Sequence, residues 1–405
     1  MTSLRNGVLV VAPAGEWQVA AIFAAQAMGI KVLAVDSSAS CAGREHADFF
    51  VQLEDFSDHR PLLQFAEINA LNIKGALSFC SDAGQVLCAS LRRTLNLHGD
   101  STQVAIAFVN KAVQRELNAG CSWQPPIWNV AHSLAESKRF LKRQEGVFVA
   151  KPVDSSGSRG VSIIGPTMTD LDELLGAAFS ASKTQTILLE SFAVGEEFTV
   201  DGFVWERIAH VFLVTKKTRS TANPAVAIGL VTVPEDKAEF ASLSTLAQDV
   251  ISNLGKVSGP FHLEAILDSS GSPTLIEISA RGGGFGLSTD LIPATRGPDF
   301  VTMCVLDALG VRPENESLLC SRQLHGRIHF FGPSEGTVLE ELHQSRLKLR
   351  PEFVVRKYAV KDKPRCTMSD GDRLGSLTYV GDDNRYLEMS NDSFVQSAKQ
   401  PSERS

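Results

Sequence analysis

Between residues 7 and 100 the chain alternates short apolar runs with helix-patterned segments, and this alternation constrains the fold more than any other feature. GVLVVA (7–12), KVLAVD (31–36), FFVQL (49–53) and GALSFCSD (75–82) read as strands, with helices expected over Trp17–Met28 and around Gln85–Leu95. Strands separated by helical crossovers pair in parallel, so a Rossmann-like N-terminal domain is expected over about residues 1–105. The second strand ends at Asp36, as in dinucleotide-binding folds. However, the preceding turn, APAGEW, holds one glycine where the fingerprint requires three, and NAD binding is not expected.

The 405 residues leave room for two or three domains. A net charge of −7 provides no basic excess to neutralise phosphates along a nucleic acid, so no nucleic-acid partner is expected. No apolar run is long enough to span a bilayer, and Gly7–Ala14 reads as a first strand, with a signal peptide as the minor alternative. Seven scattered cysteines without a C-x-x-C pair suit reduced thiols in a cytoplasmic protein and offer no zinc site.

Two strands, PFHLEAILD (260–268) and PTLIEIS (273–279), flank SSGS. A hairpin turning at Ser270 and Gly271 sets Glu264 directly opposite Glu277 and His262 opposite Ser279. The same register sends Leu263, Ala265, Leu267, Ile276 and Ile278 to the other face, into a core. Opposed carboxylates repel, and a divalent cation would compensate them; a solvated face is the other reading.

Upstream, VFVAKPV ends near Lys151 and leads into the small-residue loop DSSGSRG (154–160). A lysine beside exposed backbone N–H groups makes an anion cradle, although an ordinary hairpin loop has the same composition and no P-loop motif is present. TILLESF and the strand after it supply Glu190 and Glu197, with Ser191–Val194 available to a purine edge. His262 reads as a packed strand residue or a base, and Lys216, Lys217 and Arg219 as a solvated loop or an aid to phosphate binding. Asp82 reads as a helix N-cap or as a ligand contact at a strand end.

In this order and spacing, Asn110-Lys111, Lys151 with its Gly/Ser loop, Glu190 to Glu197, and Glu264 to Glu277-x-x-x-Arg281 resemble the ATP-grasp superfamily of carboxylate–amine ligases. EISARGGG is most similar to the L-amino acid ligase type. The resemblance implies an α/β chain with a Rossmann-like N-terminal domain, then a two-subdomain ATP-grasp region at 106–310 whose lid, about 125–185, is mobile. A strand-rich C-terminal subdomain at 311–392 and an unstructured tail at 393–405 complete the expected order.

It further implies ATP and Mg2+ as cofactors. Lys111, Lys151, Ser156, Gly157 and Ser158 would bind the phosphates, Glu190, Ser191 and Ala193 the adenine, and Glu197 the ribose. Glu264 and Glu277 would hold magnesium, and Arg281 would contact the transferring phosphate or the acyl phosphate, with Gly283 and Gly284 close to substrate. Ser279 stands where many relatives have Asn, a better metal ligand, and Asn223–Leu230 lacks the acidic residue that such relatives often carry. The expected activity joins a carboxylate to an amine, both small molecules, in a homodimer. A carboxylating or formyl-transferring ligase and a non-catalytic nucleotide-binding protein are the alternatives.

Overall fold

A computed structural model of the chain describes residues 7–121, 123, 125–166, 168–219, 226–312, 322–345, 349–358 and 373–399. It opens with four parallel strands, β1 (Gly7–Val11), β2 (Lys31–Asp36), β3 (Phe49–Gln52) and β4 (Asn72–Leu77), in the order β3-β2-β1-β4. Alternation along β1 divides the core. Leu9 and Val11 pack with α1 (Val19–Ala27), while Val8 and Val10 pack with α2 (Arg60–Ile68) and α3 (Gln85–Leu95). Both faces are covered, which is why these strands read as continuous apolar runs.

Two short helices follow, α4 (Thr102–Val109) and α5 (Lys111–Leu117). Asn110 separates them in an extended conformation, and its side chain caps α5 by accepting from the N–H groups of Ala112 and Val113. The second sheet is antiparallel: β5 (Trp128–Ala131), β6 (Phe148–Pro152), β7 (Ser162–Ile164) and β8 (Ile187–Ser191), ordered β5-β8-β6-β7. Helices α6 (Leu134–Leu141) and α7 (Leu171–Ala181) share its apolar core.

The third sheet has eight strands: β9 (Glu196–Trp205), β10 (Ile208–Arg219), β11 (Ala227–Thr232), β12 (Gly259–Leu267), β13 (Pro273–Ser279), β14 (His325–Phe331), β15 (Phe353–Lys357) and β16 (Gly375–Gly381). Its order, β13-β12-β9-β10-β11-β14-β16-β15, makes the C-terminal strands an extension of the central sheet and not a sheet of their own. Helix α8 (Ala238–Leu254) buries Leu243, Leu246, Val250 and Ile251 against Phe261, Leu263, Ala265 and Ile278. The tail orders later than composition suggests. Asn391–Lys399 form a helix because Phe394, Val395 and Ala398 recur at helical spacing and join Phe331, Leu377 and Tyr379 in a core; residues 400–405 lie outside the described set.

Among the described residues no helix is long and apolar enough to cross a membrane, and Cys41, Cys80, Cys88, Cys121 and Cys304 are free thiols. A buried ion pair joins the chain after α3 to the entrance of β12: Lys256 Nζ lies 2.6 Å from Asp100 Oδ2, and the Val257 N–H donates to the same carboxylate at 3.1 Å. Removing one partner leaves an uncompensated buried charge. Lys256→Met should therefore destabilise the fold by about 3–5 kcal/mol, and adding Asp100→Leu should recover most of the loss. Denaturant unfolding of the two variants checks this, and a single variant as stable as the parent contradicts it.

Candidate functional site

Two rows of polar side chains cross one face of the eight-stranded sheet. In one, Glu277 of β13 pairs with Glu264 of β12, Glu264 with Thr199 of β9, and Thr199 with Thr215 of β10. In the other, Ser279, His262 and Asp201 stand side by side on the same three strands β13, β12 and β9. The turn that sets this register is held by Asp268, whose Oδ1 accepts from the N–H groups of Ser270 and Ser272 at 2.8 and 3.0 Å. Gly271 supplies the positive φ of +80°.

The expected opposition of Glu264 and Glu277 is thus present, but the expected inward pattern fails past it. A bulge between Glu264 and Ala265 pairs Ala265 with Leu275, so Leu275 enters the core and Ile276 stays half-buried. The Ile276 carbonyl then accepts from Lys151 Nζ at 3.3 Å and Arg115 Nη2 at 2.9 Å.

Each carboxylate on this face meets a cation from another element. Lys111, the first residue of α5, places Nζ 2.6 Å from Glu277 Oε2 and donates to the Ser155 carbonyl at 2.8 Å. Lys217 of β10 bridges Glu197 at 2.6 Å and Glu264 at 2.8 Å, and Arg219 also pairs with Glu197. Lys151 and Arg115 both pair with Glu190, and all three side chains are buried.

These contacts decide the protonation states. Burial disfavours the Lys111 ammonium, but Glu277, Asp82 and Glu264 raise its pKa above the ordinary value. At Lys151 burial prevails and, with Arg115 nearby, pulls the ammonium pKa down despite Glu190. Burial opposes the Glu264 carboxylate, yet Lys217 and His262 hold its pKa well below the usual range. Burial likewise opposes charge on His262, but Asp201, 2.8 Å away, and Glu264, 3.5 Å away, raise its imidazole to about 9.

Other residues expected at the site have different company. Arg115 pairs with one Glu190 oxygen and Lys151 with the other, so the side chain orients Lys151. The Ser191 N–H donates to the Ile127 carbonyl at 2.8 Å and its hydroxyl accepts from the Ile127 N–H at 3.0 Å, which ties the end of β8 to the residue before the edge strand β5. Ala193 is half-buried and lines a groove of about 820 Å³ with Trp123, Pro126, Asp249 and Thr274. None of the paired carboxylates or lysines lines that groove; it runs beside α8, on the core side of the hairpin. Ser156 is half-buried, and Gly157 and Ser158 are exposed at the tip of their loop with positive φ.

The segment after β13 docks on the end of β4. The Gly282 N–H donates to the Phe79 carbonyl at 2.8 Å, and the Gly283 N–H to Asp201 Oδ1 at 3.1 Å. A Cβ at residue 283 would stand 2.5 Å from that oxygen, so close packing requires glycine there; Gly284 has open space around it. Arg281 Nη2 lies 3.2 Å from Asp82 Oδ2, and this contact replaces the helix-capping role read for Asp82, since Gly84 caps α3. Burial opposes the Arg281 charge, but Asp82 and its other neighbours raise its pKa.

Arg115, Asp201 and Lys217 are the site residues that sequence reasoning missed or set aside as loop. Arg115 stands one helical turn after Lys111, and Lys217 shares strand parity with Thr215 and Arg219; those two periodicities were the available signals.

Glu190 is drawn below the ordinary carboxylate range by Arg115 and Lys151 against the effect of burial, and Glu264 is depressed as well. The unfolded chain therefore binds more protons than the folded one through that range, and stability is lost as pH falls through it. Arg115→Leu should lower stability at neutral pH by about 3–5 kcal/mol and flatten this acid limb. Thermal unfolding from pH 7 to pH 3 tests this; an unchanged acid limb refutes the pairing.

Residues 145–290 match the family model described as an ATP-grasp domain. Dapdiamide A synthase of Enterobacter agglomerans is 31% identical over 142 residues, which is 34% of this chain and 33% of that protein. The alignment thus spans about a third of the relative. The L-amino acid ligase of Bacillus licheniformis superposes with a TM-score of 0.77 at 19% identity, covering 97% of this chain and 98% of that one. N5-carboxyaminoimidazole synthetase of Staphylococcus aureus, complexed with ADP, also gives 0.77, at 14% identity over 96% and 97% of the two chains. Residues 145–290 thus carry an ATP-grasp domain, and the whole chain has the α/β fold of these two solved structures.

Proposed function

We propose that the chain is an ATP-dependent ligase that couples a carboxylate to an amine. The observation that carries this reading is the opposed pair Glu264 and Glu277, each held by a lysine from a different element, with Lys151 and Arg281 alongside. The similarity to dapdiamide A synthase and the fold shared with an L-amino acid ligase support it. Lys111 neutralises Glu277 and Lys217 neutralises Glu264. Lys111, Lys151 and Lys217 would bind a nucleotide's phosphates, and Glu264 and Glu277 would hold a divalent cation.

Among the described residues no group of three or more His, Cys, Asp or Glu side chains forms a cation cage. Two carboxylates completed by phosphate oxygens and water suit magnesium, which binds in that way and not in all-protein cages. Glu264 and Glu277 would hold it, and when bound it neutralises charge on the phosphates.

The chemistry then divides into two balanced steps. A substrate carboxylate oxygen attacks the γ-phosphorus; the new O–P bond replaces the bond to the bridging oxygen, and ADP leaves. The amine, having lost one proton, attacks the acyl carbon; the C–N bond replaces the C–O bond, inorganic phosphate leaves, and the nitrogen gives up a second proton. The lysines and Arg281 stabilise charge that develops on the phosphoryl group, so no covalent side-chain nucleophile is needed. The loop 154–160, tied to Lys111 through Ser155, stands where it can shut water away from the acyl phosphate.

Bicarbonate as the carboxylate is the second reading, favoured by the fold shared with N5-carboxyaminoimidazole synthetase. A phosphate-release screen over pairs of carboxylates and amines, with mass spectrometry of the product, separates the two. Glu277→Gln should lower carboxylate-dependent ADP formation by about 100-fold or more. Release of ADP at an undiminished rate by this variant contradicts the assignment.

A further inference from the structure

Sequence alone allows His262 two roles, a packed strand residue or a base, and its surroundings fit neither fully. The buried ring stands between two carboxylates, Asp201 on β9 and Glu264 on its own strand β12. Nδ1 lies 2.8 Å from Asp201 Oδ1, and Nε2 lies 3.5 Å from Glu264 Oε1. An ionised carboxylate only accepts, so each ring nitrogen presents a proton and neither is left to take one from a substrate.

Asp201 is the fixed point of this arrangement. It is wholly buried, and its Oδ1 accepts from His262 Nδ1 at 2.8 Å and from the Gly283 N–H at 3.1 Å. Its Oδ2 accepts from the Thr199 hydroxyl at 3.3 Å, and that hydroxyl lies 2.7 Å from the one on Thr215 of β10. A single oxygen therefore holds both an imidazole aimed at Glu264 and the backbone of the segment that follows Arg281. The approach leaves no room for a side chain, since a Cβ at residue 283 would stand 2.5 Å from Asp201 Oδ1 and 3.1 Å from His262 Nδ1. A buried carboxylate is a costly way to fill a core, and apolar side chains of similar volume would hold the strands as well.

We infer that Asp201 and His262 form one positioning unit, which sets the Glu264 carboxylate for its cation and, through Gly283, keeps the Arg281–Gly284 segment in the same frame. This rests on the reading of Glu264 as a magnesium ligand. Groups that orient a ligating side chain govern metal affinity without touching the metal. Both members of the unit are positioning residues, and magnesium affinity becomes sensitive to residue 283, on a different segment of the chain.

The test reads affinity and not turnover, by calorimetric titration of Mg2+ into the protein saturated with ADP. Amide side chains separate the two ring nitrogens. Asparagine sets its nitrogen near the place of Nδ1, so His262→Asn keeps a donor to Asp201 and loses the one toward Glu264. Glutamine reaches the place of Nε2, so His262→Gln keeps a donor toward Glu264. His262→Asn should weaken Mg2+ binding by about 10–100-fold, and His262→Gln should recover most of the loss. Gly283→Ala, which presses a methyl group onto the unit, should weaken Mg2+ binding by about 10-fold in the parent and by less than about 2-fold once His262→Asn is present. If His262 and Asp201 only fill the core, the two amides lower Mg2+ affinity equally or leave it at the parental value, and either result overturns the inference. Should His262→Asn fail to fold, Gly283→Ala decides, and parental Mg2+ affinity in that variant overturns it. If the parent protein with ADP binds no Mg2+, the magnesium reading itself fails, and this assignment fails with it.

Discussion

Two glutamates face each other across a hairpin, and the site is organised around compensating their repulsion. Like charges directly opposite on neighbouring strands destabilise a sheet, and here both side chains are half-buried. The chain answers with cations from three directions: Lys111 from the start of α5, Lys217 from β10 and His262 from the same strand as Glu264. The same device recurs at Glu190, where Lys151 and Arg115 balance one buried carboxylate. Such pairing is costly in desolvation and contributes little net stability, so its concentration on one face points to binding and not to the fold.

The fold's contribution is to bring these charges together from distant positions. Pleating gives β9, β10, β12 and β13 one apolar face against α8 and one polar face, and strand order places the polar residues in continuous rows. The Asn110 cap begins α5 where Lys111 can meet Glu277, and the Lys111 N–H is itself fixed to the Val153 carbonyl at 2.9 Å, which ties the second sheet to the helix. At the opposite rim the parallel sheet delivers Asp82 to Arg281. The site is therefore a junction of all three sheets.

Much of this was legible in the residues. Alternating runs specified the parallel sheet, and the turn chemistry of Asp268, Ser270 and Gly271 specified the register that opposes Glu264 to Glu277. What escaped was what local pattern does not encode. The bulge that exchanges Leu275 for Ile276 follows from packing on α8, not from hairpin geometry. Arg115 resembles any helical surface arginine until the second sheet covers it, and Glu190 resembles an exposed acceptor until Arg115 and Lys151 claim both oxygens. Asp82 precedes a helix and reads as a cap because its true partner lies 199 positions away.

If lysines stand in for cation and nucleotide together, then magnesium and nucleotide must bind as a coupled pair. Phosphates that draw off Lys111 and Lys217 leave two bare carboxylates, and a cation entering alone must compete with the lysines. Calorimetric titration of ADP with and without Mg2+ measures that coupling directly. The account predicts that Mg2+ tightens ADP binding by about 10-fold or more, and that ADP tightens Mg2+ binding by the same factor. Equal ADP affinity in the presence and absence of Mg2+ would contradict it.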